Sequence, residues 1–136
     1  MKALVDTNVI LDIALKRDPF CSAAVSLLKV SEQKGVRLYV TATTITDLYY
    51  IIRRARDKAT AYSFLRDLLS VFEVAAVGRQ EVLAALDSDV SDFEDAVQSA
   101  VARQEAIDTI ITRNGSDFSK AGQTIHTPAS FLDTLE

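Results

Sequence analysis

Four aspartates, Asp6, Asp47, Asp95 and Asp117, stand far apart along a chain of 136 residues. Brought together, they would repel one another by ~4 kcal/mol per pair at about 4 Å and an effective dielectric of about 20. A divalent cation relieves that repulsion, and a donor set made only of oxygens suits Mg²⁺ or Mn²⁺. Zinc suits the chain poorly, because Cys21 is the one cysteine and His126 the one histidine. The same scarcity argues against Ser-His-Asp and Cys-His hydrolases, which need an imidazole in a fixed constellation. Cys21 reads as a packed thiol on a helix, and His126 as the polar end of a late strand.

Each acid also has a plainer explanation. Asp6 suits the N-cap of the helix after it. Asp47 lies at the border of an apolar helix face and can pair with Arg54. Ser91 with Glu94 spells a capping box, which makes Glu94 structural, and Asp92 falls in a first turn where the helix dipole favours an anion. Asp95 differs. On a helical wheel it shares a face with Ser99, Ala102 and Ala106, while Glu94, Gln98 and Glu105 occupy another. Small residues bring a helix close to a sheet, and a charge held there is costly without a counter-ion. Asn114 and Asp117 suit either a turn or the completion of a metal site.

The elements that must position these groups follow from periodicity. Short apolar runs predict strands over 2–6, 37–40, 72–77 and 107–112, with a fifth near 123–126. Helical spacing predicts helices over 7–16, 20–34, 42–56, 59–71, 79–87 and 91–105, and a last one from Pro128. In the helix over 42–56 the inward face is Ile45, Leu48, Ile51, Ile52 and Ala55. In the helix over 59–71 it is Tyr62, Leu65, Leu68 and Leu69. Strands alternating with helices give an α/β class with a mainly parallel sheet of four to five strands. Ligands of such sheets bind beyond the carboxyl ends of the strands, where Asp6, Asn114 and Asp117 fall.

No repeat or linker interrupts the sequence, so one domain over 1–136 is expected. The chain is 49% hydrophobic and 25% charged, which suits an ordinary globular core. The N-terminus does not read as a signal peptide and no run suits a membrane span, so a cytoplasmic protein is expected. A net charge of −4 counts against passive nucleic-acid binding through a basic face. It does not count against a nuclease whose carboxylates carry bound cations.

Four segments resemble the PIN-domain family, and the resemblance covers nearly the whole chain. Leu4-Val-Asp6-Thr7-Asn8 is similar to the family's opening strand and first acid, and Thr44-Ile-Thr-Asp47 to its second-acid helix. Asp92-Phe-Glu-Asp95-Ala is similar to the third-acid helix, and Ile111-Thr112-Arg113-Asn114 through Asp117-Phe118 to the closing segment. Position 47 departs from the pattern, holding Asp where the family commonly has Glu.

The resemblance implies a three-layer α/β/α sandwich and Mg²⁺- or Mn²⁺-dependent cleavage of RNA. Asp6 and Asp95 would hold the principal ion, with Asp117 or Asn114 sharing it. Asp47 would hold a second ion or orient the water, and the Thr7 and Thr112 hydroxyls would support the ligands. Arg53 and Arg54, in a basic run with Arg56 and Lys58, would meet the RNA backbone or serve as a solvated or dimer face. Small bacterial members are often VapC-like toxins, homodimeric and inhibited by an antitoxin protein. A degenerate RNA- or protein-binding module on the same fold is the alternative. Another Mg²⁺ phosphotransfer fold is disfavoured, since Asn8 stands where a second acid is needed and no lysine follows the late strand.

Overall fold

The computed structural model describes residues 1–135. Five parallel strands form one sheet in the order β3-β2-β1-β4-β5. They are β1 (Lys2–Val5), β2 (Arg37–Thr41), β3 (Phe72–Ala75), β4 (Thr109–Ile111) and β5 (Thr124–His126). From β1 the chain first builds outward through β2 and β3, then returns to the other side of β1 for β4 and β5. The strand order therefore reverses between β1 and β4, where open α/β sheets hold their ligands.

Side chains alternate across the pleat. Ala3, Val5, Leu38, Val40 and Ile111 pack into one core with α1 (Thr7–Ala14), α2 (Cys21–Lys34), α3 (Ala42–Ala55), α4 (Lys58–Leu69) and α7 (Pro128–Thr134). Leu4, Tyr39, Ala75 and Ile110 face the other core, with α5 (Arg79–Leu86), α6 (Phe93–Gln104) and the 3₁₀ turn Gly115–Phe118. The result is the expected three-layer α/β/α sandwich. Among the described residues no helix is long and apolar enough to cross a membrane.

Two helices sit differently on their wheels from the sequence reading. In α4 the inward stripe is Ala61, Phe64, Leu65 and Leu68, while Tyr62 and Leu69 are exposed. The Tyr62 ring leans on Tyr49 and lies near the Lys58 and Arg66 cations, a surface position suited to an amphipathic ring. In α3 the fully buried stripe is Thr44, Leu48 and Ile52, spaced at four residues, which turns Ile51 and Ala55 outward.

The helix carrying Asp95 begins at Phe93, with its N-cap one residue later than expected. Asp92, not Ser91, is its N-cap, with Asp92 Oδ1 accepting from the Asp95 amide at 3.0 Å. Glu94 therefore stands second in the helix instead of third, and cannot reach back to close a capping box. Residues 96–102 are all buried, because the helix is wedged between the sheet and α5. The expected small-residue contact is there, and Gln98 is buried with it. Ala106, in the left-handed region at φ 56, ends the helix, with the Ile107 amide donating back to the Ala102 carbonyl.

Candidate active site

An open cleft of about 430 Å³ lies at the carboxyl edge of the sheet, beside β1 and β4. Its walls carry six acids: Asp6, Asp47, Asp92, Glu94, Asp95 and Asp117. Asn114, Thr7 and Asn8 line it as well. The aspartates far apart in sequence thus share one recess, to which β1, α3, α6 and the 3₁₀ turn each deliver at least one.

Asp6 is the most firmly held. It follows β1 and caps α1, so its carboxylate is buried and must find donors. Oδ1 accepts from the Thr7 amide and from Gln98 Nε2, both at 2.8 Å. Oδ2 accepts from Thr112 Oγ1 at 2.7 Å. Thr112 is itself fully buried, and its hydroxyl also accepts from the Asn114 amide, which ties the end of β4 to the first acid. The Thr7 hydroxyl pairs with Thr44 Oγ1 at 2.9 Å, so Thr7 supports Asp6 through its backbone and not through its hydroxyl. Gln98 Oε1 is buried without a partner.

Asp95 and Glu94 feel the crowding most. Partial burial and the charges of Asp6, Asp92 and Asp117 push Asp95 up to about 7. Glu94 also rises to about 7, through partial burial, a hydrogen bond with Asp47 and the charges of Asp47, Asp6 and Asp92. A carboxyl and a carboxylate sharing a proton is how two acids coexist without a cation. Sequence reasoning missed Glu94 by assigning it to a cap. It missed Gln98 by placing it on a face away from Asp95. A count started from Asp92, an equally good N-cap, would have turned Glu94 away from a capping role.

Arg53 and Arg54 are exposed near the end of α3 and do not line the acidic cleft. Arg54 borders a neighbouring hollow that shares Ile51 with it. Among the described residues no ion pair joins Asp47 to Arg54. Asp12, buried in α1, instead pairs with Arg113 at 2.7 Å. No three acidic, histidine or cysteine side chains among the described residues close tightly enough to form a finished metal-ligand set. The donor chemistry nevertheless fits a hard divalent cation: the cleft offers carboxylate and amide oxygens, with neither thiol nor imidazole on its walls.

Comparison with known proteins agrees with this geometry. The PIN domain model matches residues 2–116. Ribonuclease VapC1 of Aquifex aeolicus is 28% identical over 123 residues, spanning 87% of this chain and 85% of that one. Among solved structures, VapBC2 from Rickettsia felis, bound to a promoter DNA fragment, superposes with a TM-score of 0.76 at 14% identity. That match covers 93% of this chain and 98% of the other. VapC20 of Mycobacterium tuberculosis, described as a Sarcin-Ricin loop cleaving toxin, gives 0.65 at 19% identity over 79% of this chain and 86% of its own. By the family match over most of its length, and with the fold and acidic cleft to go with it, the chain belongs to the PIN domain family.

Proposed function

We propose that the chain is a metal-dependent endoribonuclease that hydrolyses RNA phosphodiester bonds, and that it serves as the toxin of a toxin–antitoxin pair. One observation carries the reading: six acids from distant segments line a single open cleft where the strand order reverses. The relative named a ribonuclease and the neighbour described as a Sarcin-Ricin loop cleaving toxin support it.

Asp6, Asp95 and Asp117, with Asn114 beside them, are the groups to hold Mg²⁺ or Mn²⁺. When bound, such an ion acidifies water and offsets charge developing on a phosphate. The chain's own contribution is positioning. Three donors fix the Asp6 carboxylate in one orientation, and Thr112 couples it to the Asn114 end of β4. Asp47 and Glu94 line the cleft together, and in this reading they take the proton of an attacking water. Glu94 in this role extends the reach of a position where the side chain is only Asp. Arg53 and Arg54 contact the RNA backbone outside the cleft. A homodimer and a protein antitoxin complete the reading. The solved toxin–antitoxin complex from Klebsiella pneumoniae, of the same fold, supports the antitoxin.

The test is cleavage of single-stranded and structured RNA with Mn²⁺, with Asp95→Asn as control. Cleavage by the wild type, its loss in a folded variant and its loss on chelation support the proposal. Undiminished cleavage by Asp95→Asn refutes the assignment. A second reading, a PIN fold kept for RNA or protein binding without catalysis, is favoured by the shorter Asp arm at position 47, where the family commonly has Glu. Calorimetric titration with Mn²⁺ separates the two, because a degenerate site takes up no ion.

A further inference from the structure

We propose that a second recess beside the acidic cleft is a subsite for one unpaired nucleobase of the RNA, stacked against Phe20. The inference rests on the ribonuclease reading of the cleft. This recess also measures about 430 Å³ and lies at the carboxyl edge of the sheet, past the ends of β4 and β5. Asn114 lines both recesses, so they adjoin, and an RNA strand leaving the acids on the β4 side has this hollow in reach.

The walls suit a flat, uncharged heterocycle. Pro19, Phe20 and Pro128 are apolar. The two charged groups cancel: Arg113 Nε lies 2.7 Å from Asp12 Oδ2, its Nη2 donates to Asp12 Oδ1 at 3.2 Å, and Asp12 is 1% exposed. Asp12 holds the guanidinium through this ion pair and the Nη2 hydrogen bond, and the group sits 4.1 Å over the Phe20 ring. A phosphate gains little from a cation already neutralised by a buried carboxylate. An aromatic base gains by stacking on the side of the Phe20 ring that Arg113 leaves open, because single-stranded RNA is read by stacking on aromatic rings. Phe20 remains 41% exposed even with Arg113 over it, so part of the ring stays open to a ligand.

Two measurements test the subsite. The first needs neither metal nor cleavage: the metal-free protein is titrated with adenosine, guanosine, cytidine, uridine and free ribose, and followed by NMR. At least one nucleoside is expected to shift the signals of Phe20, Ala23 and Asn114, ribose is not, and Phe20→Leu is expected to lose the response while Phe20→Tyr keeps it. Nucleosides that leave those signals unmoved, or that bind the Leu variant equally well, overturn the proposal.

The second is a cycle on cleavage, with intact RNA and RNA carrying single abasic sites beside the cut. One abasic position and Phe20→Leu are each expected to lower kcat/KM by about 5- to 150-fold, the range for loss of one stacked base, with no further loss when combined. Losses that multiply overturn it. So does a Leu variant that cleaves normally but loses a protein partner, which would make the recess a protein contact. Absence of cleavage by the wild type defeats the ribonuclease reading instead, and the nucleoside titration still decides the recess.

Discussion

Replacing Asp95 by asparagine should move stability and activity in opposite directions. Burial and the charges of Asp6, Asp92 and Asp117 raise its carboxyl from 3.8 to about 7. A shift of that size corresponds to ~4 kcal/mol, at about 1.4 kcal/mol per pH unit. Asp95 is only half-buried, and solvent screening cuts the figure to ~1–2 kcal/mol. The folded chain holds this proton more tightly than the unfolded one. The penalty is therefore absent below about pH 4, grows as the pH rises, and is complete above about pH 7. Asparagine keeps the shape and removes the charge, giving up only ~0.5 kcal/mol of attraction to the helix N-terminus. The metal-free variant should gain ~1 kcal/mol at about pH 8, or roughly 3–5 °C in Tm, and close to nothing near pH 4. RNA cleavage with Mn²⁺ should fall by at least ~100-fold, the upper end of what disturbing a metal's supports does. Thermal unfolding in chelator at both pH values, beside the cleavage assay, reads both effects. An asparagine variant less stable than the wild type at the higher pH, or one that cleaves normally, refutes the reasoning.

Gln98→Leu removes one of three donors to Asp6 together with a buried oxygen that has no partner. Folding stability should change little, while Mn²⁺ affinity by calorimetry and kcat/KM each fall ~10–100-fold. Arg113→Ala leaves the Asp12 carboxylate buried without its main partner and should cost ~3–5 kcal/mol in urea unfolding. Adding Asp12→Asn should recover much of that loss. Ser91→Ala should change unfolding free energy by less than ~0.5 kcal/mol, because Asp92 holds the cap. Glu94→Ala, by contrast, should lower cleavage by ~10-fold or more with the fold intact, as read by circular dichroism and the same assay.

The sheet and the placing of the acids could be read from the sequence because both follow from local rules. Short apolar runs ending in Asp6 and Thr112 mark strand ends, and a parallel α/β sheet gathers such ends along one edge. Asp95 was legible because small residues at helical spacing announced close packing. The register of one helix start was not. Ser91 and Asp92 are comparable caps, and choosing between them by pattern alone shifts the frame by one residue. That shift hid Glu94, now on the cleft wall. Gln98 was hidden for another reason: α6 is buried on nearly all sides, so an amphipathic wheel has no outward face on which to put a polar residue. The outward turn of Tyr62 and Ile51 depends on how α3 and α4 pack together, which no single helix encodes.

Paramagnetic broadening of amide signals by substoichiometric Mn²⁺ locates the ion most directly. Broadening is expected at Asp6, Asn8, Asp95 and Asn114, should spare Gly35 at the opposite edge of the sheet, and should weaken sharply in Asp95→Asn. Broadening centred elsewhere, or equally strong in the variant, contradicts a metal centre in the acidic cleft.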